Sequence, residues 1–107
     1  MKNKIIQKTL ETPVKVYENA DTQKQEIFQE NKGKSGIYMW VNSINGKRYV
    51  GSAQDLSRRI RKYYSINGLL RGFVPILRAF LKYGHSNFKF TVLEYCAVGD
   101  LVNREQH

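Results

Sequence analysis

The pattern of apolar positions changes at residue 36. Beyond it, Gly36-Ile37-Tyr38-Met39-Trp40-Val41 forms a β-rich run. Asn45-Gly46 is a dipeptide that closes two-residue hairpins, and Arg48-Tyr49-Val50-Gly51 returns as the second strand. With the turn centred on Asn45-Gly46, Asn42 is expected roughly opposite Tyr49. Tyr38 then lies further down the sheet, and both tyrosines are candidates for one face. Asp55 is a good N-cap, and Leu56, Ile60 and Tyr63 or Tyr64 recur at helical spacing. The spacing predicts a first helix over about 56–65 that ends near Asn67-Gly68.

Pro75 suits the first turn of a second helix. Its apolar stripe is read as Val74, Leu77, Phe80 and Leu81, with Gly84 as the residue just past its end. Phe88 to Tyr95 alternates as a third strand: Phe88, Phe90 and Val92 on one face, Thr91, Leu93 and Tyr95 on the other. Asp100 is then placed to cap a final helix starting at Leu101. The expected order is β-β-α-α-β-α, packed as an α+β sandwich of a three-stranded antiparallel sheet flanked by helices.

Residues 1–34 show no such pattern. They are polar and mixed in charge, with isolated apolar clusters at Ile5-Ile6 and Val14 to Tyr17. They read as a mobile leader with one short helix near Asp21–Asn31, and residues 35–107 as one domain. Gly33-Lys34-Ser35 looks like the end of a phosphate-binding P-loop. Phe28 stands where that loop needs its first glycine, and no strand precedes it, so the reading is rejected.

Composition narrows the function class. A chain of 107 residues, 41% hydrophobic, supports one packed domain and no more. The single Cys96 excludes a disulfide framework or a cysteine zinc cluster, and reads as a small apolar residue at a strand end. No run approaches the roughly 20 apolar residues of a membrane helix, so no membrane partner is expected. The first 30 residues are too acidic for a transit peptide, so a protein working in an organelle would be made there. Net charge is +9, and it is uneven. Residues 1–35 hold seven Lys/Arg against five Asp/Glu; residues 36–107 hold eleven against four. The folded part therefore attracts polyanions, with nucleic acid the first candidate.

Hydrolysis of a phosphodiester needs an activated water, neutralisation of the phosphorane charge and a proton for the leaving oxygen. Residues 36–107 carry only four carboxylates: Asp55, Glu94, Asp100 and Glu105. Asp55 and Asp100 read as helix caps. A two-metal acid cluster is thus undersupplied, and any metal chemistry rests on one carboxylate with waters completing a Mg²⁺ shell. Arg59 and Tyr63 are four apart on the first helix and share a face. Arg58, Arg61 and Lys62 make the same helix a dense basic patch suited to DNA phosphates. Taken singly, strand tyrosines are usually packing residues, such arginines solvated or phosphate-contacting, and a glutamate in a terminal helix ordinary surface.

The combination is more specific. Gly36-Ile37-Tyr38, then Tyr49-Val50-Gly51 after ten intervening residues, resembles the signature of the GIY-YIG nucleases, with Val50 in place of the usual Ile. Tyr49 to Ala53, Asp55-Leu56 and Arg58-Arg59 look most like the intron-encoded homing endonucleases of mitochondria and phages. Phe80 to Gly84, Phe88 to Glu94 and Arg104-Glu105-Gln106 agree, so the resemblance runs from about Lys34 to His107.

The resemblance implies a catalytic module that cuts double-stranded DNA with one Mg²⁺, for which Mn²⁺ can substitute. It implies no protein partner, and a mitochondrial home or, alternatively, a phage or bacterial one. Tyr38 matches the proposed general base, and Tyr49 its hydrogen-bonding partner. Arg59 matches the arginine on the transition-state phosphate, and Tyr63 an auxiliary acid/base position. Glu105 matches the metal-binding carboxylate; Glu94 matches no catalytic position. An unperturbed tyrosine titrates near pH 10, so Tyr38 would need nearby positive charge to act as a base at neutral pH. The family domain continues past the Glu-bearing helix to an Asn that has no counterpart here, so a fragment of a longer reading frame is expected. Two alternatives stay open: an inactive DNA-binding remnant, and a structure-selective repair nuclease on the same fold. His85, after a helix end, reads as a surface cap.

Overall fold

A computed structural model describes residues 13–72 and 74–97. The hairpin strands are β2 (Gly36–Asn42) and β3 (Arg48–Ala53), and β4 (Phe88–Tyr95) runs antiparallel to β2 on its other side. A further strand, β1 (Lys15–Tyr17), pairs with β4, giving the order β1-β4-β2-β3. The sheet thus has four strands rather than the expected three. Three residues with only Tyr17 buried carry no readable period, so the pattern could not disclose β1. Helix α1 (Lys24–Glu30) follows, close to the expected short helix, and buries Ile27 and Phe28. Part of the stretch read as a leader is therefore built into this α+β fold, in which the described helices pack on the Trp40 face of the antiparallel sheet.

Helix α2 (Leu56–Arg61) starts where expected, with the Asp55 carboxylate accepting from the Arg58 N–H. It runs on as a 3₁₀ turn, Lys62–Tyr64, and stops at Ser65. Ser65 turns to extended backbone and caps the next helix, α3 (Ile66–Leu70), by accepting from the Gly68 N–H. Asn67-Gly68 therefore lies inside a short helix instead of ending a long one. Helix α4 (Val74–Tyr83) buries Ile76, Leu77 and Phe80. Its apolar stripe is rotated from the expected one: Leu81 is 70% exposed, and Ile76 takes the inward place. The Gly84 N–H closes the helix on the Phe80 carbonyl at 2.8 Å, at a positive φ of 80°.

Two irregularities decide which side chains face the helices. The hairpin loop is longer than two residues, because the Asn42 side chain accepts from the Ile44 N–H and the Asn42 carbonyl from the Gly46 N–H. Gly46, at φ 77°, lets the chain turn back. Trp40, not Asn42, therefore stands opposite Tyr49, and Tyr38 opposite Gly51. The second is a bulge where β2 meets β4. Tyr38 faces Val92 while Ile37 faces Glu94, which leaves Leu93 as the extra residue. A one-residue slip reverses sidedness. Tyr95 consequently packs against the main core, not with Leu93 as alternation predicted.

The core lies between sheet and helices. Trp40 is its centre, fully buried, with Phe90, Tyr63 and Phe80 rings at 4.9, 5.2 and 5.3 Å. Burying a ring of this size contributes roughly 4–6 kcal/mol before entropy is charged against it. Phe88, Phe90 and Val92 all face this core, as the alternation required. Behind it, Asn31 is fully buried and donates to Tyr17 Oη and the Ile27 carbonyl, while Tyr95 donates to its side-chain oxygen at 2.6 Å. This network fastens α1 and β1 to the end of β4. Cys96 is a half-buried thiol whose backbone pairs with Ser35. No helix among the described residues is long and apolar enough to cross a membrane. The final helix expected from Asp100, with Glu105, lies outside the described residues.

Candidate active site

The hairpin register puts Tyr38 and Tyr49 on one face as diagonal neighbours, since Tyr49 precedes the partner of Tyr38 by two residues. The Tyr38 ring lies across Gly51. A Cβ on Gly51 would stand 2.5 Å from the Tyr38 hydroxyl and 2.7 Å from Cζ, so a side chain here would force the Tyr38 ring or the strand to shift. Helix α2 supplies the opposite wall. Leu56 and Ile60, both fully buried, fix its rotation, and this leaves Arg59 at the rim of the cleft. The 3₁₀ turn carries Tyr63 inward until its hydroxyl is 2.7 Å from that of Tyr38, with the rings edge to face at 5.8 Å.

These four residues, with Ser52 of β3 and Pro75 and Ile76 of α4, line one open pocket of about 420 Å³. It holds a phenol pair and a guanidinium on a partly apolar floor. Burial pushes the Tyr63 hydroxyl well above the usual tyrosine range; the nearby Tyr38 adds to this, and the positive charge of Arg59 opposes it. Burial thus disfavours loss of the Tyr63 proton, and either hydroxyl can donate in the pair.

Behind the pocket, His85 Nε2 lies 2.9 Å from the Tyr63 carbonyl oxygen. Its ring is sandwiched between Tyr64 at 4.6 Å and Phe80 at 4.0 Å. Burial lowers its pKa. His85 is a brace for the turn that carries Tyr63, not a surface cap. Nothing adjacent to it in the chain signals this, because the contacts cross three elements.

Arg58, Arg61 and Lys62 are exposed, and none of them lines the pocket. Arg58 and Arg61 turn to the other flank of α2, toward α1. Glu94 stands opposite Ile37 and does not line the pocket either. Glu105 lies outside the described residues. Among the described residues no three His, Cys, Asp or Glu side chains group as a metal site, and the pocket lining contains no carboxylate.

Comparison with known proteins places this arrangement. The chain is 34% identical over 64 residues to a probable intron-encoded endonuclease 1 of Neurospora crassa, covering 60% of this chain and 20% of that protein. It is 36% identical over 62 residues to intron-associated endonuclease 1 of Enterobacteria phage T4, covering 57% of this chain and 25% of that protein. The chain thus spans a quarter or less of the length of these relatives. Among solved structures, the catalytic domain of homing endonuclease I-TevI superposes with a TM-score of 0.56 at 31% identity, over 68% of this chain and 82% of that one. The family model of the GIY-YIG catalytic domain matches residues 34–107, and the chain belongs to the GIY-YIG family.

Proposed function

We propose that this chain is the catalytic module of an intron-encoded homing endonuclease, hydrolysing phosphodiester bonds of double-stranded DNA with one divalent metal ion. The carrying observation is the meeting of Tyr38, Tyr49, Arg59 and Tyr63 around a single open pocket in a GIY-YIG domain. The pocket's rim cation suits a phosphate, and its paired hydroxyls suit proton handling.

Tyr38 Oη accepts the proton of the attacking water, and the Tyr63 hydroxyl 2.7 Å away would, as donor, favour its deprotonated form. Tyr49 adds a third hydroxyl to the same pocket lining, while the hydroxyl paired with Tyr38 is that of Tyr63. Arg59 offers a planar fork of donors to the non-bridging oxygens as charge builds on phosphorus. The described lining has phenol and alcohol oxygens but no carboxylate, so Glu105 is the carboxylate proposed to hold the ion, with waters completing its shell. A bound Mg²⁺ or Mn²⁺ would supply Lewis-acid neutralisation of phosphate charge. Made in a mitochondrion, or in a phage-infected or bacterial cell, such a module needs no protein partner to cut.

Supercoiled-plasmid nicking with Mg²⁺ tests the reading. Wild type nicks, while Arg59→Ala and Glu105→Ala each lose at least about 100-fold. Equal nicking by all three would remove both residues from the site.

A further inference from the structure

We infer that the seam between α1 and α2 is a second phosphate site, which grips a non-scissile backbone phosphate of the DNA duplex being cut. The inference rests on the endonuclease reading and adds a surface to it. The seam is a groove of about 360 Å³. Lys32 enters it from the turn after α1, and Arg58 and Arg61 enter from α2. Only one carboxylate lines it, that of Asp55, which already accepts from the Gly33 and Arg58 N–H groups, both at 3.3 Å.

Two features make this more than a charged surface. The Arg61 guanidinium lies 4.3 Å above the Phe28 ring. Phe28 is itself buried and set edge-on against Tyr64 at 5.4 Å. The stacking fixes the plane of the guanidinium while leaving its N–H donors to a ligand. In addition, among the described residues Lys32, Arg58 and Arg61 form no ion pair. The ion pairs there join Lys15 to Glu30 and Lys89 to Glu18. Three cations thus converge on a concave site without a paired carboxylate, beside polar Gln25 and Gln29.

Placement supplies the reason for a duplex. Arg59 lines the cleavage pocket and Arg58 and Arg61 line the seam, so the two sites flank one short helix. A helix with its side chains is about 10–12 Å across. The major groove is about 12 Å wide, so phosphates of one duplex can reach both flanks. The contact is to backbone, and it reads no sequence. Gln25, Phe28, Gln29 and Lys32 precede the stretch matched by the family model, 34–107, so one of the three cations and half of the lining come from outside the matched domain.

The test uses the full chain in EDTA with a labelled duplex of arbitrary sequence, binding followed by anisotropy across a salt series. Wild type is compared with Lys32→Gln, with Lys32→Gln/Arg58→Gln, and with the charge-matched control Lys82→Gln/Lys89→Gln. Removal of one phosphate-binding cation should flatten the log K against log salt slope by about 0.9, so the seam double variant should flatten it by nearly 2. The control should leave it steep, and all variants should melt with wild type because the altered side chains are exposed or half-exposed. With Mg²⁺, the seam variant should raise the DNA concentration needed for half-maximal nicking and leave the saturated rate intact. An unchanged slope in the seam variants, or an equal drop in the control, overturns the site while wild-type nicking leaves the endonuclease reading standing. A wild type that neither binds nor nicks duplex DNA overturns both.

Discussion

Gly51→Ala tests the geometry of the pocket with a single methyl group. The added carbon would stand 2.5 Å from the Tyr38 hydroxyl and 2.7 Å from its ring, where ordinary contact begins near 3.4 Å. Something must move by nearly 1 Å. The edge strand is held by pairing on β2 alone, while the Tyr38 ring is buried among Phe90, Tyr63 and Val92, so a shift of either disturbs packed or paired groups. Overpacking of this kind costs about 1–3 kcal/mol. That corresponds to a fall in melting temperature of roughly 5–15 °C for a domain of this size. The chemistry should suffer more than the fold, because a 1 Å displacement of a reacting group costs about 100-fold in rate. Circular dichroism melts and plasmid nicking with Mg²⁺ at a temperature where both proteins are folded separate the two effects. Gly51→Ala nicking at the wild-type rate, with an unchanged melt, would refute both the placement of Tyr38 over Gly51 and its role.

Three further outcomes are expected. Tyr63→Phe removes the 2.7 Å hydrogen bond to Tyr38 but keeps the ring packing, so stability should fall by only about 1 kcal/mol while nicking drops about 10- to 100-fold. His85→Phe keeps the stack between Tyr64 and Phe80 but removes the titrating ring. Because burial lowers the folded pKa, the unfolded chain takes up a proton first. Wild-type stability is then flat above about pH 6.5 and is lost as pH falls from there through the folded value. Asp21 and Lys24 act on His85 with opposite signs and do not remove that burial effect. His85→Phe should lack this part of the acid loss, as thermal melts between pH 7 and 5 would show. Asn31→Ala breaks three hydrogen bonds at once, two of them fully buried, and should cost about 2–4 kcal/mol, read by chemical denaturation.

The main strands are legible in the sequence because each carries a two-residue period and ends in turn residues. The same period puts Tyr38 and Tyr49 on one face, although the loop is longer than the Asn45-Gly46 dipeptide implies. The true register differs from the expected one by two residues, and an even shift preserves sidedness. The bulge at Leu93 is an odd shift, which is why Tyr95 lies on the face opposite to the expected one. No local pattern announces such a bulge; it is set by how β2 and β4 fit along their whole length. Strand β1 escapes for a related reason, since its place depends on the open edge of β4 and not on its own three residues. The Phe28–Arg61 stack and the His85 brace are invisible in the sequence because each joins segments more than 20 residues apart.

Arg59 and Tyr63 show the limit within a single element. Four residues apart in an α-helix, they should lie about 40° from each other around the axis and share one exposure. The structure separates them: Arg59 is half-exposed at the rim, and Tyr63 is 5% exposed beside Tyr38. The cause is the tightening from α to 3₁₀ at Lys62. Each 3₁₀ step turns about 120° instead of 100°, so the two steps to Tyr63 add roughly 40° and swing its hydroxyl inward. His85 holds the Tyr63 carbonyl in that tightened turn. Helical spacing already sets Tyr63 three residues after the buried Ile60, and the 3₁₀ turn carries it further inward. It leaves Arg59 in the pocket lining and sets Tyr63 against the Tyr38 hydroxyl.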